Sequence, residues 1–129
     1  MANKNTIDRR MALARTVSKK SLCNVQMGAV VVSGKSIVGV GFNRVSKTHP
    51  ISRSQFPGLH AEVDCIIGVD RRHLVGATMY VYREHKDGSL AMSKPCLRCQ
   101  DVLIESGIKT VYYTTDKGIQ KFSIRDLRR

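Results

Sequence analysis

A chain of 129 residues, 42% of them hydrophobic, has enough material for one buried core and reads as a single domain over residues 1–129. No apolar run approaches the ~18 residues of a membrane-spanning helix, and the opening Met1-Ala2-Asn3-Lys4-Asn5 is too polar for a secretory signal; no membrane partner is expected, and the cytoplasm is the expected compartment. Twenty-two Lys and Arg against 10 Asp and Glu give a net charge of +12, a field that attracts phosphates without saying whether they belong to a nucleotide or a polynucleotide.

Thr6 is placed to cap a first helix in which Ile7, Met11, Ala14 and Val17 recur as an apolar stripe. Arg9, Arg10, Arg15, Lys19 and Lys20 gather in the same stretch, and Lys121, Arg125, Arg128 and Arg129 gather at the other end. Gly28 to Val32 and Ser36 to Phe42 are short β-rich runs joined by Ser33-Gly34-Lys35, the pattern of a hairpin. Residues 44–58, with two prolines and a Lys47-Thr48-His49-Pro50 stretch, form a long loop of the kind that carries function in a compact domain.

A second helix is expected to open near His60 and run to about Val69, with Leu59, Glu62, Val63, Ile66 and Ile67 on one face. Glu62 thus falls in line with the core stripe. An unpaired buried carboxylate is costly, so its place there calls for a chemical reason, unless it reaches solvent at the helix rim. Ala77 to Arg83 reads as a third strand and Asp87-Gly88 as a turn. Pro95 suits the first turn of a third helix, where its missing donor does no harm. Cys96, Cys99 and Leu103 then share a face, and Gly107 ends the helix as a left-handed cap. Ile108 to Thr114 is a fourth strand, and Asp116-Lys117-Gly118 turns it into a fifth over Ile119 to Ile124. So short a connection joins only antiparallel neighbours. The order is helix, hairpin, helix, strand, helix, strand, strand, an α/β sheet with helices on its faces.

The chemistry concentrates in His60-Ala61-Glu62 and Pro95-Cys96-Leu97-Arg98-Cys99. His60, Cys96 and Cys99 are good zinc ligands, and three of them leave a tetrahedral ion one place short. Catalytic zinc keeps that place for water, whereas structural zinc closes it with a fourth side chain. Zinc lowers the pKa of such a water toward ~7, and Glu62 is the free carboxylate to move its proton. A redox Cys-x-x-Cys would leave His60 and Glu62 without work, and a structural site would need His85, His49, Cys23 or Cys65 to complete it. In a reducing compartment all four cysteines are thiols or ligands rather than disulfides. Cys23 and Cys65, with no motif around them, read as buried small hydrophobes.

With His-x-Glu followed by Pro-Cys-x-x-Cys, the chain resembles the zinc-dependent cytidine and deoxycytidylate deaminase superfamily from Gly28-Ala29-Val30 to about Thr114. The histidine ligand and Gly41-Phe42-Asn43 are more similar to deoxycytidylate and tRNA-adenosine deaminases than to small cytidine deaminases. Lys47-Thr48-His49-Pro50 and Ser93-Lys94 resemble a phage-type deoxycytidylate deaminase-like branch. The antiparallel fifth strand instead resembles the small cytidine deaminases.

The resemblance implies a three-layer α-β-α fold around a five-stranded mixed sheet, with Zn²⁺ as cofactor. It implies zinc ligation by His60, Cys96 and Cys99, and proton transfer by Glu62. It also implies a nucleoside contact from Asn43 and a base contact from the Ala61 amide. His49 and Lys94 are further substrate-side candidates, with Lys47 and Arg53 beside them as possible phosphate ligands. The implied reaction is hydrolytic deamination of a cytosine nucleoside or nucleotide, deoxycytidylate first, by a homo-oligomer. The alternative substrate is cytosine or adenosine in single-stranded DNA or RNA, which the +12 charge and basic termini keep open. A shortage of aromatic residues, with four Tyr, three Phe and no Trp, counts against it. A basic nucleic-acid-binding zinc module is the non-enzymatic alternative.

Overall fold

The computed structural model describes residues 3–44 and 59–127. The expected loop over residues 44–58, with His49, Lys47 and Arg53, lies outside them except for Arg44.

Helix α1 spans Lys4–Ser18, and its cap is Asn3 rather than Thr6: Asn3 Oδ1 accepts from the Thr6 amide at 2.9 Å. Both residue types cap, but asparagine is the stronger of the two and stands one turn earlier. Strands β1 (Met27–Ser33) and β2 (Ser36–Phe42) form the expected hairpin, with Gly34 at φ 61° in its turn. β3 (Thr78–Arg83) pairs antiparallel with β1 and parallel with β4 (Thr110–Thr115), and β4 pairs antiparallel with β5 (Gly118–Ser123). The sheet is therefore five-stranded and mixed, in the order β2-β1-β3-β4-β5.

Three further helices connect these strands. α2 is Ala61–Ile66, shorter than expected, because Ile67 is already extended and Gly68 takes φ 82°. A short α3 (Arg71–Leu74), capped by Asp70, follows where the sequence had suggested no element. α4 (Leu97–Ser106) is the crossover from β3 to β4, and it ends in the expected left-handed Gly107 at φ 84°.

Strand alternation distributes the core. Val30, Val32, Tyr80, Tyr82 and Tyr112 face α1 through Met11, Ala14 and Val17. Ala29, Val31, Met79, Val81 and Val111 face the other way, against Val63, Ile66, Leu74 and Leu103. Helix, sheet and helix layers result, the three-layer α/β arrangement. Two glycines on one face of β2 set how closely α2 lies. A Cβ on Gly41 would stand 2.3 Å from the Cys65 amide nitrogen, and one on Gly39 2.3 Å from the Cys65 carbonyl. Bare backbone at both positions lets α2 sit directly on the strand.

Candidate active site

Two helix starts converge beside the sheet. His60 is the N-cap of α2 and Cys96 the N-cap of α4, and neither makes a side-chain capping hydrogen bond. Pro95 is thus one residue ahead of the cap, not in the first helical turn. Its ring fixes the approach, while Gln100 Nε2 donates to its carbonyl at 2.8 Å. Cys99 falls in the first turn of α4 and is buried; His60 is half-buried and Cys96 exposed, so the cluster opens to solvent on the Cys96 side.

His60 Nδ1 lies 3.2 Å from Cys99 Sγ and 3.7 Å from Cys96 Sγ. All three donor atoms lie within 4.8 Å of one another. One tetrahedral zinc with bonds of ~2.0–2.3 Å would hold such atoms about 3.6–3.8 Å apart, so the donor set fits the metal in chemistry and spacing. Among the described residues no fourth His, Cys, Asp or Glu joins the group. Cys23, Cys65 and His85 are therefore not closing ligands. Cys65 is buried as expected, but Cys23 is only half-buried, with its Sγ 3.6 Å from the Asn43 carbonyl.

Glu62 is 2% exposed and its Oε1 has no hydrogen-bond partner. Burial pushes its carboxyl up to about 7, against smaller lowering effects from a backbone amide and Cys99. The Cys99 thiol is likewise pushed up, by burial first and then by the Glu62 and Cys96 charges. A buried carboxylate oxygen without a partner, on a group that interacts with Cys99, has the disposition required to exchange a proton with a small polar molecule bound at the cluster.

Ala61 is the first helical residue of α2, so its amide is one that finds no acceptor within the helix. Asn43 holds the start of β1: its Oδ1 accepts from the Met27 amide at 2.9 Å and its Nδ2 donates to the Val25 carbonyl at 2.6 Å. One lone pair and one N–H of that amide are left for a further partner. Lys94 is exposed, with Nζ 5.5 Å from the Phe122 ring centroid and 5.9 Å from that of Tyr113.

Sequence reasoning missed the residues that hold this arrangement. Asp64 Oδ2 accepts from the Phe42 amide at 3.1 Å and its Oδ1 pairs with Arg44 Nε at 3.4 Å, tying α2 to the end of β2. Arg44 and Leu59 exchange backbone hydrogen bonds of 2.9 and 2.7 Å immediately before His60. Ahead of Pro95, Ser93 Oγ donates to the Val81 carbonyl at 2.9 Å and accepts from the Thr114 amide at 2.7 Å. Thr114 Oγ1 donates to the Ala91 carbonyl at 2.7 Å. These partners are up to 23 residues apart, and no local pattern announces them.

Known proteins carry the same features. The family model of the cytidine and deoxycytidylate deaminase zinc-binding region matches residues 4–115. A deoxycytidylate deaminase of Mycobacterium phage D29 is 29% identical over 124 residues, covering 80% of this chain and 89% of that protein. The fold matches the apo dCMP deaminase of cyanophage S-TIM5 with a TM-score of 0.65 at 24% identity, covering 88% of this chain and 86% of the other. It matches cytidine deaminase of Burkholderia pseudomallei with a TM-score of 0.69 at 21% identity, covering 93% and 94%. With the family's sequence pattern running through both helix starts and a zinc-fitting donor cluster between them, the chain belongs to the cytidine and deoxycytidylate deaminase family and is a zinc-dependent hydrolytic deaminase.

Proposed function

We propose that the protein converts dCMP and water to dUMP and ammonia, with His60, Cys96 and Cys99 holding the zinc and Glu62 moving the proton. The orphaned, fully buried Oε1 of Glu62, a carboxyl that interacts with Cys99 of the three-donor cluster, carries the reading. The phage D29 relative, a deoxycytidylate deaminase, supports the mononucleotide substrate over a polynucleotide one.

Bound zinc supplies Lewis-acid activation of water near neutral pH. Glu62 takes the proton released by the attacking water and delivers it to the ring nitrogen beside the carbon that bears the amine. The carboxylate so regenerated takes the second proton, from the new hydroxyl on that carbon as its C=O forms, and hands it to the amine as the C–N bond breaks, so one group serves as base and acid in turn. A carboxyl whose apo value already lies at about 7 suits both directions of transfer. The Ala61 amide contacts the base, and Asn43 contacts the sugar through the N–H and lone pair its backbone bonds leave over. Lys94 and His49 serve the substrate side.

The whole chain acts as one deaminase domain in a reducing cytoplasm, consistent with the free thiols of its cysteines. It assembles as a homo-oligomer. Leu22, fully exposed, and Leu97, 64% exposed and adjacent in sequence to Cys96, are apolar surface that a subunit contact would cover. Among the described residues no helix is long and apolar enough to cross a membrane.

The test is a substrate panel of dCMP, CMP, cytidine, dCTP and short oligonucleotides, followed by ammonia release and base conversion. Turnover of dCMP is expected, with Glu62→Ala keeping its zinc and losing activity. Conversion of oligonucleotides alone, or full activity of Glu62→Ala, would overturn the assignment.

A further inference from the structure

A second recess lies on the other face of the sheet, at the opposite end of β3 from the zinc-ligand cluster. Its volume is about 980 Å³, and its floor follows from strand register. Val32, Thr78, Thr110 and Ser123 form one rung across β1, β3, β4 and β5, and Val30, Tyr80, Tyr112 and Lys121 form the next rung on the same face. Helix α1 covers the β1 and β3 part of that face, and the recess runs from its first turns across to β5.

The charge of this recess is one-sided. Arg9, Arg10, Lys35, Lys109 and Lys121 line it, and no carboxylate does. None of these five belongs to an ion pair among the described residues. Arg10 Nη1 is buried and has no hydrogen-bond partner, while its Nη2 has only a 3.4 Å contact with the Lys35 carbonyl. A buried guanidinium nitrogen without an acceptor, among cations that repel one another, is disposed to bind an anion. Threonine and serine hydroxyls between arginines and lysines are a phosphate-binding lining, since both donate to phosphate oxygens.

The cations form a track rather than a point. From the β1–β2 turn carrying Lys35 to β5 carrying Lys121 there are three strand spacings, roughly 14 Å, long enough to meet more than one phosphate of a single strand. The tyrosines add no base reading. Tyr80 and Tyr112 stack on each other, centroids 5.0 Å apart and planes at 11°, and both rings are buried, so neither offers a face to a base. We propose that this groove docks the phosphodiester backbone of single-stranded nucleic acid as a non-substrate partner, independently of the deamination reaction.

The experiment uses the zinc-loaded protein and a labelled oligothymidylate, which has no base to deaminate, with fluorescence anisotropy across a salt series. Lys109→Ala with Lys121→Ala, both exposed, removes two of the cations. The control is Lys86→Ala with Lys117→Ala, which removes the same charge outside the recess. The groove variant should bind at least about tenfold more weakly at low salt, with a log–log salt slope shallower by about 1.4, at ~0.7 per phosphate contact. The control should bind as the parent does. Turnover of dCMP should be unchanged in both, which separates this site from the catalytic one. Absence of salt-dependent binding, an equal loss in the control, or full binding by the groove variant would overturn the proposal. Displacement of the oligonucleotide by equimolar inorganic triphosphate would overturn it too, by showing a small-polyphosphate site.

Discussion

Replacing Glu62 with glutamine should make the metal-free protein more stable, and only above acidic pH. The folded carboxyl titrates at about 7 because it is buried, against an ordinary 4.5. A folded state that holds its proton more tightly than the unfolded chain is unaffected below 4.5, loses stability as pH rises through the interval, and has lost it all above 7. At 1.36 kcal/mol per pH unit, that interval is worth roughly 3 kcal/mol. Glutamine fills the same space without a charge to bury. The assay is urea denaturation of parent and Glu62→Gln in chelator and reductant at pH 5 and pH 8. The variant's advantage should grow by about 2–3 kcal/mol between them, while pH-independent effects of the substitution cancel. Restoring zinc should narrow the gap, because a nearby cation favours the carboxylate. A difference that stays constant with pH would refute the burial argument outright.

Other perturbations address the frame around that carboxyl. Gly41→Ala forces a methyl against the Cys65 amide nitrogen; a loss of ~2–3 kcal/mol and of zinc occupancy should appear in thermal melts and metal analysis, but not for exposed Val40→Ala. Thr114→Val removes the hydroxyl that donates to Ala91, which should cost ~1–3 kcal/mol in chemical denaturation and lower kcat by displacing the segment that leads to Cys96. Burial holds the Cys99 thiol well above its usual range in the metal-free protein, so zinc must displace its proton. Affinity measured by chelator competition should therefore rise with pH across the neutral range, and an affinity independent of pH would contradict this. Cys99→Ser should fail to retain the metal during dialysis, with the fold still present by circular dichroism.

Features with a period or a local signature were legible in the sequence. The hairpin, the left-handed Gly107 and the antiparallel β4–β5 pair follow from turn chemistry and alternation. His60, Cys96 and Cys99 meet across as many as 39 residues, yet their spacing announced them. Boundaries were less legible. Asn3 and Thr6 both suit a cap, and only the geometry of the turn selects between them. The helical pattern after His60 continued through Ile67, but Gly68 at positive φ and the Asp70 cap of α3 divided it. Least legible were the Ser93–Thr114 hydroxyl pair and the basic recess, because strand register places those side chains together and no linear pattern records it.

The absence of side-chain caps at the starts of α2 and α4 has a bearing on supply. A capping residue ordinarily contributes ~1 kcal/mol to the helix it begins, and here both cap positions hold proposed metal ligands instead. Asp64 and Gln100 tie those two turns to the strand and segment before them, and a metal held by the cap side chains would add what a cap ordinarily contributes. On the proposed ligation, the fraction of molecules with an ordered site follows the zinc available in the medium, by ordinary mass action. A cell starved of zinc would make this polypeptide in full and yet leave much of it inactive.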